Sequence, residues 1–229
     1  MPQLKNLKEP ICKKQTIGLI GAGGHSKVIQ DLIFAHSDYS LCAVLDDQFE
    51  EVVTQSGILY GPISMSEQLR KTIPHMKWLI AIGQNEIRQL MKERLSFENT
   101  AYATLIHPEA VISSSAVIGR GTVVMARTVV QADAVIGEHA IINTGSIVEH
   151  DCILESVVHL SPGAVLTGGV SVREGAHIGA GAVVTPGTTI GSWTVIGAGA
   201  AVTRDIRDHK VAVGIPAMEI KDRKEGGKS

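Results

Sequence analysis

Every sixth residue from Ile106 to Val202 is aliphatic, in an unbroken series of seventeen positions. No α-helix or ordinary hairpin array keeps a period of six over so long a stretch, whereas a parallel β-helix does. The residue two places before each aliphatic position from Ile112 onward is small or β-branched, as a narrow, filled prism requires. Three hexads make one triangular coil, so this stretch predicts about five coils stacked at roughly 4.8 Å.

The first hundred residues lack this period and predict a separate unit of alternating strands and helices. Three short apolar runs end in glycine or aspartate, and a helical pattern follows each of them. The runs are 16–21, 41–45 and 78–82, and the helical stretches are 27–35, 64–73 and 84–95. The second helical stretch opens with a capping box, Ser64–Glu67. This alternation predicts a small Rossmann-like parallel sheet.

Four segments follow from these patterns. We expect an N-terminal extension at 1–15, an α/β domain at 16–104, a parallel β-helix at 105–206 and a polar C-terminal tail at 207–229. The predicted fold class is therefore an α/β domain followed by an all-β solenoid.

Composition and charge narrow the function classes. The net charge is −2 and no basic stripe is present, which argues against nucleic acid as a partner. No apolar run reaches the length of a signal peptide or a membrane span, so we expect no membrane insertion. Cys12, Cys42 and Cys152 are scattered and form neither a disulfide framework nor a metal motif. A cytoplasmic protein without a metal is the expectation.

A second aliphatic column runs beside the first and must point outward, because successive side chains of a strand alternate between its two faces. Such a column in water would promote aggregation, so we expect it to be buried against copies of the same chain, and a three-sided prism predicts a trimer. Its members are Leu105, Val111, Val117, Val123, Val129, Val135, Ile141, Ile147 and Ile153.

The outward column becomes polar further along the chain. His159 and His177 occupy it with Ser171 between them, and three hexads, or one full coil, separate the two histidines. We expect both imidazoles on the same face, in adjacent or nearly adjacent coils.

His150 lies at a predicted corner of the prism, between Glu149 and Asp151. A neighbouring carboxylate fixes the tautomer of an imidazole and raises its basicity, as a general base near neutral pH requires. The alternative is a solvated polar turn without chemistry. Cys152 is expected to serve packing, and five other histidines are expected to be ordinary surface residues: His36, His75, His107, His139 and His209.

The predicted strand ends of the α/β domain converge on one crevice. A glycine turn at a helix N-terminus can hold phosphate, and a carboxylate that ends the second strand can accept hydrogen bonds from a ribose or base. The crevice residues are Gly23, Gly24 and His25 from the first strand end, Asp46 and Asp47 from the second, and Gly83 with Asn85 from the third. Alternatively, the glycines serve only a tight turn; Ser26 stands where the dinucleotide fingerprint has its last glycine.

Several stretches in this order and spacing resemble one protein family. They are Gly21-Ala-Gly-Gly-His25, Leu45-Asp-Asp47, Ala81-Ile-Gly-Gln-Asn-Glu-Ile-Arg88, Leu105-Ile-His-Pro108, the stretch Asn143–Cys152, and Gly214-Ile-Pro-Ala217. The chain resembles bacterial sugar acetyltransferases that join a nucleotide-binding α/β domain to a left-handed hexapeptide-repeat β-helix. This group includes sialic-acid O-acetyltransferases and N-acetyltransferases of UDP-linked 4-amino sugars.

The resemblance implies acetyl-CoA as donor, a homotrimer with active sites between neighbouring β-helices, and His150 as general base oriented by Asp151. It implies that the Gly168 N–H binds the oxyanion and that the crevice residues Gly23, Gly24, His25, Asp46, Asp47 and Gly83 bind a sugar nucleotide. It further implies that cofactor contacts come from His159, Gly179, Ala180, Gly197 and Ala198. The chain departs from the pattern at Met218, where many relatives carry a lysine.

The resulting expectation is N-acetylation of a UDP- or dTDP-linked 4-amino-4,6-dideoxy sugar for surface polysaccharide or glycan synthesis. Three alternatives remain open at this point. They are O-acetylation of a sugar such as sialic acid, a non-catalytic nucleotide-binding scaffold, and an NAD-dependent oxidoreductase, which would leave the β-helix unexplained.

Overall fold

The computed structural model describes residues 14–223. The chain divides into two compact units, the first running to Ile82 and including Ser96–Ala103, the second formed by Gly83–Leu95 and the chain from Thr104 onward. The β-helix therefore begins near the predicted boundary. The helix at 84–95, which was predicted to be the last helix of the α/β domain, belongs instead to the same unit as the β-helix. The predicted N-terminal extension, including Cys12, lies outside the described residues except for its last two positions.

The first unit is built on a five-stranded sheet of order β3-β4-β2-β1-β5. All strand pairs are parallel except β3 with β4. Its elements are β1 (Gln15–Ile20), α1 (Gly24–Ala35), β2 (Tyr39–Leu45), β3 (Val53–Gln55), β4 (Ile58–Gly61), α2 (Ser66–Thr72) and β5 (Lys77–Ile80). The parallel sheet confirms the fold prediction. The β3–β4 hairpin was not predicted, because β3 is exposed along its length and carries no apolar period.

The sequence pattern explains why these elements pack. Helix α1 buries Ile29, Leu32 and Ile33, a spacing that places all three side chains on one side of a helix. The start of α2 differs from the prediction. A 3₁₀ turn at Ile63–Met65 precedes it and no side chain caps it, because the Ile63 carbonyl accepts the N–H of Ser66. The predicted capping box is therefore not formed.

The second unit consists of α3 (Asn85–Leu95) and seventeen two-residue strands wound into a triangular parallel β-helix. Face 1 contains β6 (Leu105–Ile106), β9 (Val123–Val124), β12 (Ile141–Ile142), β15 (His159–Leu160), β18 (His177–Ile178) and β21 (Val195–Ile196). Face 2 contains β7 (Val111–Ile112), β10 (Val129–Val130), β13 (Ile147–Val148), β16 (Val165–Leu166), β19 (Val183–Val184) and β22 (Ala201–Val202). Face 3 contains β8 (Val117–Ile118), β11 (Val135–Ile136), β14 (Ile153–Leu154), β17 (Ser171–Val172) and β20 (Thr189–Ile190).

The predicted core column fills the prism. Successive coils pair at a separation of three hexads, as in Ile142 with Leu160 and Leu160 with Ile178, and these side chains are inaccessible to solvent. Full burial of such a side chain stabilises by about 1.5–3 kcal/mol. Gly119 shows how closely the coils approach, since a Cβ there would lie 2.6 Å from the backbone of Gly137 in the next coil. Glycine is thus required at this position.

The outward column is only partly exposed, which corrects the prediction for face 1. Leu105, Val123 and Ile141 are buried within the single chain. On the other two faces the prediction agrees with the structure, since Val111 of face 2 is 64% exposed and Val117 of face 3 is 58% exposed. Intramolecular packing therefore covers part of one face, and the apolar residues of the other two remain open.

Helix α3 binds the backbone of three successive coils through two buried side chains. Arg88 donates from Nε to the carbonyl of His139 (2.8 Å) and from a terminal nitrogen to the carbonyl of Val157 (2.8 Å). Asn85 donates to the carbonyls of Gly175 (3.0 Å) and Ala176 (3.1 Å). Burial lowers the pKa of Arg88 to about 9, so the guanidinium stays charged at neutral pH. These bonds join the coils along one edge of the prism.

His139 lies at this edge and is buried, which corrects its prediction as a surface residue. Its ring covers Gly121, where a Cβ would lie 2.4 Å from Nδ1. Burial, with the nearby cations Lys92 and Arg88, lowers the pKa of His139 to about 3. The hexad pattern did not predict the burial of His139, because a residue at a corner of the prism is normally solvated.

The predicted C-terminal tail contains two strands, β23 (Lys210–Val213) and β24 (Met218–Asp222). β23 continues face 1 by pairing with β21, and β24 pairs antiparallel with β23. An ion pair between Lys210 and Asp222 joins them. The tail prediction is therefore wrong up to Arg223, because backbone pairing with the last coil orders a polar segment; 224–229 lie outside the described residues.

We expect Arg88→Ala to lower the free energy of unfolding by about 2–4 kcal/mol, because buried carbonyls of two coils would lose their donor. Urea unfolding at a fixed protein concentration measures the change. Arg94→Ala is the matched control, since Arg94 is an exposed arginine of the same helix. Equal free energies of unfolding for the two variants would show that Arg88 does not stabilise the stacked coils.

Candidate functional site

The His150 corner is the edge at which the chain turns from face 2 to face 3, at 132–133, 150–151, 168–169, 186–187 and 204–205. The imidazole of His150 is exposed there, and its Nδ1 lies 2.7 Å from Oδ2 of Asp151. A carboxylate accepts hydrogen bonds, so Nδ1 carries the proton and Nε2 is left as the basic nitrogen. Asp151 has a left-handed backbone, with φ of 60°. Its backbone N–H donates to the carbonyl of Ala132 in the coil below, which fixes the turn.

Electrostatics favour the protonated form of His150 and so increase its basicity. The pKa of His150 is raised, chiefly by the hydrogen bond to Asp151 and further by the charges of Asp151 and Glu149. Asp151 thus makes the direct contact and has a larger influence on the pKa of His150 than Glu149 has. The arrangement can remove a proton from an incoming nucleophile.

Gly168 lies one coil above His150, and the imidazole packs on it. A Cβ at Gly168 would lie 2.6 Å from both Cε1 and Nε2 of His150, so no larger residue fits while the ring stays in place. The flanking Thr167 and Gly169 N–H groups donate to Val184 and His150 carbonyls. Within residues 14–223, the Gly168 N–H has no backbone acceptor. The residue on which the His150 ring packs thus has an N–H without a backbone partner, which is compatible with the predicted oxyanion donor.

His159 and His177 form a stacked pair on face 1, as their spacing predicts. Their ring centroids are 4.7 Å apart and the planes differ by 3°. Nε2 of His159 lies 3.3 Å from the amide nitrogen of Asn143, and Nε2 of His177 lies 2.7 Å from Oγ of Ser161. Burial and the charge of Arg88 lower the pKa of His177. Ser171 is not between them in space, because it lies on face 3.

Asn143 and Ser161 were missed as site residues at the sequence level. Each precedes its histidine by 16 residues and follows a strand of the coil below. A search for polar residues repeated at this offset could have found both.

The remaining predicted cofactor residues lie at a different edge of the prism. Ala180 and Ala198 stack at the corner between faces 1 and 2, where the Gly199 N–H donates to the carbonyl of Ala180 (2.8 Å). Both alanines are exposed, and Gly179 and Gly197 precede them. Within one chain, therefore, His150 and Gly168 are brought together, whereas His159, Ala180 and Ala198 lie elsewhere on the prism.

In the first unit, the residues predicted to line the crevice lie at the ends of β1 and β2. Gly23 and Gly24 are exposed at the N-terminus of α1, with open space where a Cβ would lie. No side chain caps this helix end. Asp46 joins the two strand ends, since Oδ2 accepts from the Ala22 N–H (2.7 Å) and Oδ1 from the Gln48 N–H (3.0 Å). Asp46 thus shapes the crevice, while Asp47 beside it is exposed and His25 is half-buried.

At the third strand end, the structure engages both predicted residues in contacts of the second unit. Gly83 groups with the second unit, where its carbonyl accepts from Arg88 (3.2 Å). Asn85 is buried, and its oxygen accepts from Arg88 (3.0 Å) while its nitrogen binds the β-helix backbone. The crevice prediction is wrong for Asn85, because its amide is committed to packing α3 on the coils.

The described residues contain neither a metal-binding cluster nor a membrane-spanning helix. Within residues 14–223, no three His, Cys, Asp or Glu side chains are arranged to hold a metal ion. The same part of the chain contains no helix whose length and apolar character would let it cross a membrane. Cys152 is buried in the small-residue column, as predicted, and its thiol donates to the carbonyl of Thr167 (3.1 Å).

Two family models match the chain. Residues 16–95 match the PglD N-terminal domain, and residues 169–204 match the bacterial transferase hexapeptide family of six repeats. A curated relative, UDP-N-acetylbacillosamine N-acetyltransferase of Bacillus subtilis, is 48% identical over 112 residues. That match covers 49% of this chain and 52% of the relative, so it spans about half the length of the curated protein.

Solved structures match over most of the chain. A histidine-to-asparagine variant of perosamine N-acetyltransferase from Caulobacter crescentus, in complex with CoA and GDP-perosamine, is 38% identical with a TM-score of 0.82. The match covers 90% of this chain and 97% of that protein. The acetyltransferase domain of PglB from Neisseria gonorrhoeae is 37% identical, with a TM-score of 0.78, over 90% of this chain and 100% of that one.

We expect Asp151→Asn to lower the pKa of His150 toward the ordinary value near 6.5, because the carboxylate that stabilises the imidazolium is removed. NMR titration of the His150 ring measures this shift. Glu149→Gln is the control and should lower the pKa less, since Glu149 acts only through space. An unchanged His150 pKa in Asp151→Asn would show that the hydrogen bond does not set the basicity.

Proposed function

Since the chain belongs to the family of hexapeptide-repeat N-acetyltransferases that carry a PglD-type N-terminal domain, we propose that it transfers acetyl from acetyl-CoA to an amino group. The proposed acceptor is a nucleotide-linked 4-amino-4,6-dideoxy sugar. The observation that carries this proposal is the His150–Asp151 pair packed on Gly168. It combines a base of raised pKa with an available backbone donor.

The chemistry follows from the roles of these residues. Acetyl-CoA supplies a thioester whose thiolate is a good leaving group. Nε2 of His150 accepts the proton that the sugar amine loses as its nitrogen bonds to the acetyl carbon, and Asp151 stabilises the resulting imidazolium. The Gly168 N–H points its positive end toward the acetyl oxygen as that atom gains charge. No side chain needs to become acylated.

We further propose a homotrimer, because one chain contains only part of the predicted site. His150 and Ala180 lie at different edges of the same prism, so they can share one ligand only if edges of neighbouring subunits meet. The exposed aliphatic residues of faces 2 and 3, such as Val111 and Ile153, support this association, since a trimer would bury them. His159, Gly179, Ala180, Gly197 and Ala198 would then contact a cofactor from the neighbouring chain.

The nucleotide part of the acceptor is assigned to the crevice of the first unit. Gly23 and Gly24 leave the N-terminus of α1 open, which favours a phosphate. His25 and Asp47 can contact the diphosphate or sugar ring, and Asp46 holds the two strand ends in place. We expect a UDP- or dTDP-linked sugar; the Caulobacter relative binds a GDP-linked one. Gly83 stays a proposed substrate contact.

The cellular setting follows from this chemistry. Cys42 and Cys152 are free thiols in the described chain, which supports a reducing compartment such as the cytoplasm. A nucleotide-linked amino sugar is a building block, so the product would serve surface polysaccharide or glycan synthesis.

The decisive experiment incubates the protein with acetyl-CoA and a panel of UDP-, dTDP- and GDP-linked 4-amino sugars, with free sialic acid as the O-acetylation arm. Released thiol is measured, and the product is analysed for amide or ester. An amide from a nucleotide-linked sugar supports the proposal. An ester from sialic acid would reassign the enzyme to O-acetylation. No thiol from any acceptor would favour a non-catalytic nucleotide-binding role.

We expect His150→Ala to lower kcat by about 10²- to 10⁴-fold, the usual contribution of a general base. The exposed imidazole contributes little to packing, so the oligomeric state and thermal stability should stay those of the wild type. Thiol release and size-exclusion chromatography test both statements. Near-normal turnover would exclude His150 as the base.

We expect Gly168→Ala to lower kcat by roughly 10- to 100-fold through displacement of the base. The backbone of Gly168 is not left-handed, so alanine fits the chain itself, but its Cβ would overlap the His150 ring. Because that ring is exposed, it can be displaced with little loss of packing, and we expect a small change in thermal midpoint. Unchanged kcat in a folded variant would show that the ring need not lie on Gly168.

A further inference from the structure

Two half-buried imidazoles, those of His159 and His177, interrupt the outward column of face 1. The other members of this column are aliphatic: Leu105, Val123, Ile141 and Val195. An aliphatic side chain fills such a position without a hydrogen-bond partner, and replacing a bonded polar pair by apolar groups of the same shape is often nearly neutral for stability. Stacking of the coils therefore does not require histidine at either position.

The two rings lie directly on one another. Strand pairing places the backbone of His159 beside that of His177, and the His159 N–H donates to the carbonyl of Ala176 (3.0 Å). The ring centroids are 4.7 Å apart and the planes differ by 3°. In the coil below, His159 pairs with Ile141, which has no ring to stack on it. The plane of the His159 ring is therefore set by His177.

His177 is itself held in place. Its Nε2 lies 2.7 Å from Oγ of Ser161, a buried residue. The backbone of Ser161 is fixed at both of its polar groups, because its N–H donates to the Ile178 carbonyl (2.9 Å) and its carbonyl accepts from the Ala164 N–H (3.1 Å). Burial and the charge of Arg88 lower the pKa of His177, so its ring is mostly neutral at neutral pH and does not repel a second imidazole.

Asn143 fixes the His159 ring from the coil below. Its Oδ1 accepts from the Thr144 N–H (2.8 Å), so the amide nitrogen faces Nε2 of His159 at 3.3 Å. An amide nitrogen only donates, so Nε2 accepts and the hydrogen of the neutral ring is on Nδ1. The bond to Asn143 thus sets the tautomer of His159, while the stack on His177 sets its plane.

Building on the proposed function, in which His159 contacts the cofactor, we propose that His177 is a positioning residue for that contact. It holds the His159 ring in one plane before acetyl-CoA binds, and Ser161 is its anchor. A side chain that is already fixed in its bound orientation loses less rotational freedom when the ligand arrives, and this increases affinity. His177 therefore acts on the cofactor through His159.

The test measures the Kd for acetyl-CoA by isothermal titration of the full-length protein without an acceptor. We expect His177→Ala to raise this Kd about two- to tenfold, the range that an aromatic pair contributes. His177→Phe is the matched control, because a phenyl ring restores the stack, and its Kd should stay within about twofold of the wild type. In turnover, His177→Ala should raise the KM for acetyl-CoA more than it lowers kcat, since the His150 corner is unchanged.

A double-mutant cycle shows whether His177 acts through His159. In a His159→Ala background, adding His177→Ala should cause no further rise in the Kd, because no ring is left to position. An equal rise in both backgrounds would overturn the proposal. A wild-type Kd in His177→Ala would also overturn it, as would a Kd in His177→Phe as high as that of His177→Ala.

Ser161→Ala is a second variant that keeps both rings. It should raise the Kd for acetyl-CoA by less than His177→Ala does, because it removes only the anchor of His177. If His177→Ala does not fold, an unchanged Kd in Ser161→Ala overturns the proposal. Equal binding by the wild type and His159→Ala would remove His159 from the cofactor site, and this inference with it. Failure of the wild type to bind acetyl-CoA at all would instead overturn the proposed function.

Discussion

The stacking of coils at a fixed register of three hexads is the constraint on which the rest of the structure depends. Aliphatic side chains fill the prism and pair directly between neighbouring coils, as Leu160 does with Ile142 and Ile178. A shift of one residue would turn every core side chain outward, so the register is strongly specified. Because the register is fixed, any two residues separated by three hexads become neighbours. The packing of His150 on Gly168 and the stacking of His159 on His177 are both consequences of it.

The same regularity explains why a single prism does not complete the candidate site. Each corner repeats along one edge, so residues of the His150 corner stay apart from those of the Ala180 corner within the chain. The His150 corner carries the proposed base and the proposed backbone donor, whereas Ala180 and Ala198 stack at another corner. The proposed association of prisms through their exposed apolar faces would bring two corners to one ligand, and it would link burial of apolar surface to catalysis.

Helix α3 adds a contact that periodicity could not predict. Asn85 and Arg88 were read as part of the α/β domain, but they bind carbonyls of three coils of the β-helix. A buried guanidinium requires several acceptors, and the aligned carbonyls at this edge supply them. The contact also accounts for the buried His139, whose pKa is lowered partly by the charge of Arg88. A residue expected at the surface is thus enclosed by its surroundings.

The sequence by itself determined the β-helix, its coil register, the parallel sheet and the pairing of His150 with Asp151, because each depends on a repeat or on adjacent residues. Only the tertiary structure decided that Leu105, Val123 and Ile141 are buried and that the segment after 206 forms strands. These features arise from contacts between residues without periodic spacing, and such contacts leave no mark in a single sequence.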